Sequence, residues 1–301
     1  MERSLRLRQD VLTTLHDFNL NDGSSPVAGL IQGVDGQFYG TTAYGGTGNC
    51  SPFNGCGTIF SITNSGVLTT LHDFDGSDGE EPYGPMVQAM DKSLYGTALA
   101  GGVRQGVGNG TIFKIAPSGK LTTIQLVDGR SPAGQLVQAT DGSLYGTTYY
   151  GGDFTCNAGI GCGAIFELRP EGQISILHSF QITDGMGPYA GVLQGTDGNF
   201  YGTTYLGGPD NDGTVYSLDI GLGPFVTFIH AAGKVGPTSG ILGQSFTGTT
   251  AVSLNGAPMT FKVVSDTYLT ATVPPGATTG HVSVTTPSGV LTSNVPFYVI
   301  P

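Results

Sequence analysis

The stretch that decides the fold occurs in four copies, and the last of them reads Gly195-Thr196-Asp197-Gly198-Asn199-Phe200-Tyr201-Gly202-Thr203-Thr204. Its core recurs upstream as Phe38-Tyr39-Gly40-Thr41-Thr42, Leu94-Tyr95-Gly96-Thr97 and Leu144-Tyr145-Gly146-Thr147-Thr148. A short run of aromatic, leucine and threonine residues is typical of a β-strand. Asp-Gly, or Asp91-Lys92 in the second copy, precedes each run and indicates a hairpin turn. The sequence therefore predicts four repeats that contain the same β-hairpin.

Each copy lies within a unit that has four strand-like segments. The fourth segment ends at Leu15-His16, Leu71-His72, Ile124-Gln125, Leu177-His178 and Ile229-His230, with spacings of 56, 53, 53 and 52 residues. Four antiparallel strands in about 50 residues is the pattern of a β-propeller blade. We predict an all-β chain in which residues 11–230 form a β-propeller of four four-stranded blades. A stacked β-solenoid is the competing fold, although its rungs are usually shorter.

The connections between segments are of two kinds. Those between segments one and two and between three and four are tight turns. The long connections are 44–55, 99–109, 149–161 and 205–212, together with links between units such as 73–83. In a four-stranded meander all the long connections lie on one rim, and variable loops on a rigid scaffold are common binding sites. We expect any ligand to bind at this rim, which we call the long-loop rim.

The fourth segment occurs once more than four blades require. The N-terminal copy, residues 11–18, can complete the last blade as a latch, which we favour, or it can be the remnant of a truncated array. A third option is that the spare strand pairs with another molecule, because an unpaired strand edge invites strand addition. Residues 1–10 are expected to be a poorly ordered segment.

The pattern changes at the C-terminal end. Residues 231–301 contain alternating segments such as Tyr268-Leu269-Thr270-Ala271-Thr272-Val273 and His281-Val282-Ser283-Val284-Thr285, with turns every eight to twelve residues. This spacing predicts a small immunoglobulin-like β-sandwich.

The repeats resemble the bacterial GloVer (Gloeo/Verruco) tandem repeat. The residues that carry the likeness are Gly195–Thr204, Gly55-Cys56-Gly57-Thr58-Ile59-Phe60 and Leu68-Thr69-Thr70-Leu71-His72-Asp73-Phe74. The C-terminal residues resemble an IPT/TIG domain, through the stretches 251–256, 264–274 and 276–280. The resemblance implies a secreted or cell-surface bacterial protein, and it carries no catalytic residues over to this chain. Residues 1–7 contain no apolar core of a signal peptide, which departs from that implication.

Charge limits the class of partner. The net charge is −11, and three of the eleven basic residues lie at Arg3, Arg6 and Arg8. This leaves no basic surface for phosphate, so nucleic acid is not an expected partner. No apolar run approaches the ~20 residues that cross a bilayer, so no membrane span is expected.

Four cysteines lie in two identical spacings, Cys50 with Cys56 and Cys156 with Cys162, and the other two repeats lack both. Paired presence and absence favours a disulfide within each loop, which stabilises by about 2.4 kcal/mol in the chain-entropy model. Buried free thiols are the alternative, and zinc fits less well because no histidine is adjacent. Disulfides indicate an oxidising, extracellular location.

Tyrosines are the candidate ligand-binding residues of the long-loop rim: Tyr44, Tyr83, Tyr149, Tyr150, Tyr189 and Tyr205. A tyrosine offers a flat apolar face and a hydroxyl, which suits a carbohydrate or a protein surface. The absence of tryptophan argues against the sugar. Packing between neighbouring blades is the alternative role for these side chains.

Two sets of polar residues are candidates for metal binding. His16, His72, His178 and His230 share one repeat position, which Gln125 interrupts, so a structural role is the better interpretation. The acidic residues Asp73, Asp75, Asp78, Asp210 and Asp212 resemble parts of a calcium loop but lack the spacing of an EF-hand. Asx-turns explain them without an ion, so no cofactor is expected and calcium is the only candidate.

Two functions remain after these exclusions. The preferred prediction is a secreted or cell-surface, non-catalytic scaffold or adhesion protein that self-assembles through open strand edges. Its partners are other copies of itself or an extracellular glycan or protein. The alternative is a carbohydrate-binding or carbohydrate-active propeller that uses the long-loop rim. No nucleophile motif is present, and carboxylates for glycoside cleavage cannot be selected from the sequence.

Overall fold

The computed structural model describes residues 12–50, 55–102, 109–116, 119–126 and 129–300. The expectation for residues 1–10 lies outside this part. The described chain is built from β-strands, and its helical content is a single 3-10 turn at Asn157–Gly159. None of the described helical residues forms a helix that is long and apolar enough to cross a membrane. Two compact units are formed, by residues 1–135 and 136–301.

The first unit contains two four-stranded antiparallel sheets in simple meander order. Repeat 1 consists of β1 (Ile31–Gln32), β2 (Phe38–Thr42), β3 (Thr58–Ile62) and β4 (Leu68–Asp73). Repeat 2 consists of β5 (Val87–Gln88), β6 (Leu94–Ala98), β7 (Thr111–Ile115) and β8 (Leu121–Gln125), and β9 (Gly129–Arg130) follows it. Each sheet is the four-stranded meander of a β-propeller-like fold.

Aromatic side chains on the third strand of each repeat stack on its second strand. In repeat 1 a Cβ added at Gly40 would overlap the ring of Phe60, and in repeat 2 the same holds for Gly96 and Phe113. Phe74, which follows β4, packs edge to face on Phe113 with ring centroids 5.3 Å apart. Because glycine has no side chain, it leaves space for the aromatic ring of the neighbouring strand to pack there.

Threonines on the second strands tie one repeat to the next. Thr41 Oγ1 donates to the carbonyl of Pro82 at 3.2 Å, and Thr97 Oγ1 donates to the carbonyl of Gly134 at 3.3 Å. In the second unit Thr147 Oγ1 donates to the carbonyl of Ala190 at 2.9 Å. These buried hydrogen bonds satisfy backbone groups of the connections that lead into the following repeat.

The second unit begins with the other two repeats. Repeat 3 consists of β10 (Val137–Gln138), β11 (Leu144–Thr148), β12 (Tyr150–Gly151), β13 (Ala164–Leu168) and β14 (Ile174–Ser179), with sheet order β10-β11-β13-β14. Repeat 4 consists of β15 (Leu193–Gln194), β16 (Phe200–Thr204) and β17 (Thr214–Leu218). Its sheet has three strands, in the order β15-β16-β17. Thr227–Phe228, which the sequence pattern attributes to the last fourth segment, pairs elsewhere.

The C-terminal residues form two four-stranded sheets around one apolar core. The strands are β18 (Thr227–Phe228), β19 (Ala232–Gly233), β20 (Thr238–Leu242), β21 (Ala251–Leu254), β22 (Ala257–Pro258), β23 (Thr260–Ser265), β24 (Tyr268–Thr272), β25 (Val282–Thr286), β26 (Gly289–Thr292) and β27 (Tyr298–Val299). One sheet has the order β18-β20-β24-β23 and the other β22-β21-β25-β26. Ile241 and Leu269 of the first sheet share a buried cluster with Val252 and Val284 of the second. Alternating buried positions on β24 and β25 supply this core.

Candidate functional site

Four of the predicted tyrosines come together in the second unit. Tyr149 directly follows β11, and its ring contacts those of Tyr150 and Tyr189, with centroids 4.5 and 5.8 Å apart. Tyr205 directly follows β16, and its backbone N–H donates to the carbonyl of Gly187 at 3.1 Å. Tyr189 and Tyr205 are exposed, whereas Tyr149 and Tyr150 are half-buried. We call these four residues the tyrosine cluster.

Tyr149 is the centre of the tyrosine cluster. Burial raises the pKa of its hydroxyl, and the nearby Tyr150, Tyr205 and Tyr189 raise this pKa further. Its ring rests on Gly187, where an added Cβ would lie 2.7 Å from Tyr149 Cε2. Gly187 has a φ of 64°, so a side chain there would also be strained. The glycine thus fixes the ring around which the exposed tyrosines are arranged.

Tyr44 and Tyr83 form a separate pair in the first unit. Their hydroxyl oxygens are 2.8 Å apart, and their rings meet edge to face with centroids 6.4 Å apart. Both side chains are half-buried. The hydrogen bond with Tyr44 is the main cause that raises the pKa of Tyr83 to about 12. Because one residue comes from repeat 1 and the other from repeat 2, this pair has the geometry of packing between repeats.

The cysteine prediction is confirmed. Cys50 is bonded to Cys56 and Cys156 to Cys162, with Cα atoms 5.1 and 5.6 Å apart. Cys56, Cys156 and Cys162 are buried. Each bridge therefore anchors a long loop of its repeat to the apolar core beneath it, and repeats 2 and 4 have no counterpart in the sequence.

Three of the predicted histidines form a repeated contact with an aspartate six residues downstream. The Nε2–Oδ2 distances are 3.0 Å for His16–Asp22, 2.7 Å for His72–Asp78 and 3.0 Å for His178–Asp184. Each of these histidines also packs edge to face on a phenylalanine two residues later. The contacts hold the connection that enters a repeat, which is a structural role. His230 is exposed and follows β18.

Two of the five candidate calcium residues, Asp75 and Asp78, form hydrogen bonds within a local turn. Asp75 accepts hydrogen bonds from Ser77 N and Oγ at 2.8 and 2.6 Å, and Asp78 accepts one from Asp75 N at 3.0 Å. Asp73 ends β4 with a buried Oδ1 that has no partner among the described residues. Asp210 and Asp212 are exposed. Within the described ranges, no group of three His, Cys, Asp or Glu side chains is arranged to hold a metal ion.

A tyrosine–aspartate contact in every repeat was missed by the sequence reasoning. The tyrosine of the second strand donates its hydroxyl to the aspartate of the preceding turn, at 2.6 Å for Tyr39–Asp35, 3.1 Å for Tyr95–Asp91, 2.7 Å for Tyr145–Asp141 and 2.6 Å for Tyr201–Asp197. The constant spacing of four residues in all four copies was the available signal. These contacts connect each turn to the strand that follows it.

A cavity of about 390 Å³ lies beside the tight turns of the first unit. Val34, Asp35, Leu71, Lys92 and Ile115 are among its lining residues. The carboxylate of Asp35 already accepts hydrogen bonds from the Tyr39 hydroxyl and from Gln37. The Asp35 carboxylate is therefore already hydrogen-bonded within its own repeat. The tyrosine cluster remains the better candidate site.

The comparisons with known proteins identify the repeat. A family model described as Gloeobacter/Verrucomicrobia repeat matches residues 4–160. No curated protein matches the chain. Among solved structures, a streptogramin B lyase is similar at 16% identity, with 87% of this chain and 76% of that chain covered and a TM-score of 0.40. The virginiamycin B lyase from Staphylococcus aureus is similar at 15% identity, with coverages of 90% and 80% and a TM-score of 0.42.

Proposed function

The chain belongs to the Gloeobacter/Verrucomicrobia repeat family, and we propose that it is an exported, non-catalytic adhesion scaffold that binds carbohydrate through the tyrosine cluster. The four repeats serve as blades of a β-propeller that displays its long loops on one rim. Residues 231–301 serve as an IPT/TIG-like, immunoglobulin-like module.

The tyrosine cluster carries this proposal. Tyr189 and Tyr205 expose rings next to the half-buried Tyr149 and Tyr150. Aromatic faces with hydroxyl edges suit the alternating apolar and polar faces of a sugar ring. The net charge of −11 repels polyanions, so neutral polysaccharides are the preferred class.

Two further observations support the location and the scaffold role. Both disulfides are formed, which fits a protein that works in an oxidising environment outside the cytosol. The hydrogen bonds of Thr41, Thr97 and Thr147 hold the connections that follow repeats 1, 2 and 3 in place, and fixed loops suit a surface that retains a polymer.

The first prediction tests the tyrosine cluster by electrophoresis in native gels that contain xylan, mixed-linkage β-glucan or galactomannan. One of these polymers should retard the protein. Tyr189→Ala and Tyr205→Ala should each raise the dissociation constant about three- to tenfold, because each removes one stacking face. The control is Tyr298→Ala, which removes an exposed tyrosine of the C-terminal sheets.

Each outcome of that experiment decides something. Retardation that survives the double variant Tyr189→Ala/Tyr205→Ala would place binding elsewhere, and no retardation by any neutral polymer would reject carbohydrate as the ligand. Release of reducing ends from a bound polymer would show a carbohydrate-active enzyme in place of a non-catalytic adhesion scaffold.

A further inference from the structure

Repeat 4 exposes a face that the other repeats bury. Ile59 packs in one core cluster with Met86 and Phe113 of repeat 2. Ile165 packs in another with Val192 and Phe200 of repeat 4. Val215 is the matching residue on β17 and is 83% exposed. In repeats 1 and 3 the side chain at this position packs on the next repeat, whereas in repeat 4 it is exposed to solvent.

The outer edge of β17 is open as well. In repeats 1, 2 and 3 the third strand pairs with a fourth, whereas the described sheet of repeat 4 ends at β17. The histidine–aspartate contact next to that edge is also more exposed to solvent in repeat 4. The side chains of His72 and Asp78 are 23% and 20% exposed under repeat 2, but those of His178 and Asp184 are 36% and 46% exposed under repeat 4.

Repeat 2 also contains a hydrogen bond from its fourth strand that has no counterpart in the described residues of repeat 4. In repeat 2 the carbonyl of Asp78 accepts from Thr111 Oγ1 at 2.9 Å and from Thr123 Oγ1 of β8 at 3.3 Å. In repeat 4 the carbonyl of Asp184 accepts from Thr214 Oγ1 at 2.9 Å. The second threonine would come from a fourth strand. A cavity of about 170 Å³ lies here, with Phe180 and Tyr216 among its lining residues.

The chain contains a strand sequence that fits this edge. Residues 12–18 read Leu-Thr-Thr-Leu-His-Asp-Phe, which is identical to residues 68–74, the segment that forms β4 in repeat 1. Residues 12–18 belong to no sheet in the described chain. Repeat 1 also exposes its entering face, because Leu30 is 53% exposed while its counterparts Met86, Leu136 and Val192 are buried.

We propose that the protein associates head to tail, with repeat 1 of a second copy packed on the open face of repeat 4. The second copy supplies residues 12–16 as the fourth strand on β17 and buries its Leu30 against Val215. By the register of β3 with β4, Val215 pairs with His16 and Tyr216 with Thr14. The two surfaces differ, so the association can continue from copy to copy.

The second prediction is tested by sedimentation velocity over a range of concentrations. The wild-type chain should form a concentration-dependent series of oligomers. Val215→Arg and Leu30→Arg should each weaken self-association by at least about tenfold, because each places a charge in a desolvated apolar contact. Both residues are largely exposed in the single chain, so both variants should fold. The control is Val264→Arg, an exposed valine of β23.

A mixture of the two variants gives the sharpest test. Val215→Arg keeps an intact repeat 1 face and Leu30→Arg keeps an intact repeat 4 face, so an equal mixture should form one-to-one dimers and no longer oligomers. Hydrogen exchange should show residues 214–218 protected in the mixture, but only in the Leu30→Arg copy. Failure of the mixture to dimerise would overturn the proposal. A wild-type monomer would overturn it too, whether residues 214–218 exchange freely or are protected by the chain's own residues 12–16.

Head-to-tail self-association does not depend on carbohydrate binding. Polymer retardation reports on the tyrosine cluster, and sedimentation without polysaccharide reports on the two open faces. Either result can fail while the other stands.

Discussion

Tyr216 occupies the repeat position that Phe60, Phe113 and Phe166 occupy in the other three repeats. Its ring packs on Phe180 with centroids 5.0 Å apart, as Phe60 does on Phe18 and Phe113 on Phe74. Its hydroxyl oxygen is buried and has no hydrogen-bond partner among the described residues. Burial raises the pKa of this hydroxyl. A buried polar group without a partner lowers stability, because it gives up its hydrogen bonds to water.

The third prediction follows from that comparison. Tyr216→Phe should raise the free energy of unfolding by about 1 kcal/mol, since it removes the unpartnered hydroxyl and keeps the ring. Tyr145→Phe is the matched variant, because the Tyr145 hydroxyl donates to Asp141 at 2.7 Å. It should lower the free energy of unfolding by about 1–2 kcal/mol. Urea unfolding followed by circular dichroism measures both, and equal effects of the two variants would contradict the argument.

At the scale of the strand, the glycine of the repeated Tyr-Gly-Thr motif is a packing residue. A Cβ at Gly96 would overlap the ring of Phe113 on the neighbouring strand β7. The backbone there needs no special conformation, so the requirement is one of space alone. The same pairing occurs at Gly40, Gly146 and Gly202. The motif therefore encodes the contact between the second and third strands as well as the strand itself.

The fourth prediction compares two glycines of the first unit. Gly96→Ala should lower the free energy of unfolding by about 1–3 kcal/mol, because the added methyl group overpacks a buried contact. Gly29→Ala is the control, since a Cβ there meets no heavy atom within 4 Å. It should be neutral or stabilise by less than about 1 kcal/mol. If both variants lose the same stability in urea unfolding, the Phe113 ring is not the cause of the loss at Gly96, and the space argument for the motif is wrong.

Strand positions could be predicted from the sequence because alternation and turn residues are local signals. The Phe38–Thr42 and Phe200–Thr204 segments are strands with the expected bounds. The disulfides were also predictable, since both cysteines of a pair are present or absent together. The open edge of β17 was not, because Thr214–Leu218 has the same composition as the buried third strands. Only the number of strands in each sheet distinguishes a third strand with an open edge from one that is paired with a fourth strand.

The candidate site was predictable in part for a related reason. Repeat positions identified all six tyrosines, but spacing alone does not separate the half-buried Tyr44–Tyr83 pair from the exposed tyrosine cluster. That difference depends on neighbouring residues, since repeat 3 places Tyr149 over Gly187, whereas Ala43 and Glu81 stand at the matching positions beside Tyr44 and Tyr83. The contacts from Tyr39 to Asp35 and from His72 to Asp78 have constant spacing, yet side-chain direction decides whether such residues meet.

At the scale of the whole molecule, the Tyr39–Asp35 contact makes stability depend on pH at both ends of the range. The hydrogen bond from Tyr39 is the main cause that holds the pKa of Asp35 below its ordinary 3.8. Burial, followed by the bond to Asp35, raises the pKa of Tyr39 from 10.0 to about 12. The stabilisation from Asp35 is present above pH 3.8 and is lost as pH falls through the lowered value. The stabilisation from Tyr39 is present below pH 10.0 and is lost as pH rises through about 12.

Other carboxylates act in the opposite direction, so the total pH profile does not isolate this effect. Burial raises the pKa of Glu80 and of Glu81, and their contribution is lost as pH rises through their raised values. The Tyr39→Phe variant leaves both glutamates unchanged. Their contribution therefore cancels in the difference between the free energies of unfolding of the wild-type chain and the variant.

The fifth prediction is the pH dependence of that difference. Tyr39→Phe should lower the free energy of unfolding at pH 5–9 by no more than about 1 kcal/mol, because Asp35 is exposed and solvent screens the contact. The difference should shrink as pH falls through the lowered pKa of Asp35, where the carboxyl becomes protonated, and again as pH rises from 10.0 to about 12, where Tyr39 ionises. Tyr298→Phe, on an exposed side chain of the C-terminal sheets, is the control for removal of a tyrosine hydroxyl that contacts no aspartate of the described chain. Urea midpoints across the pH range measure the effect. A difference that stays constant as pH falls through the range in which Asp35 becomes protonated would mean that Tyr39 stabilises the repeat by packing alone, and the Tyr39–Asp35 contact would then have no part in the acid sensitivity of the molecule.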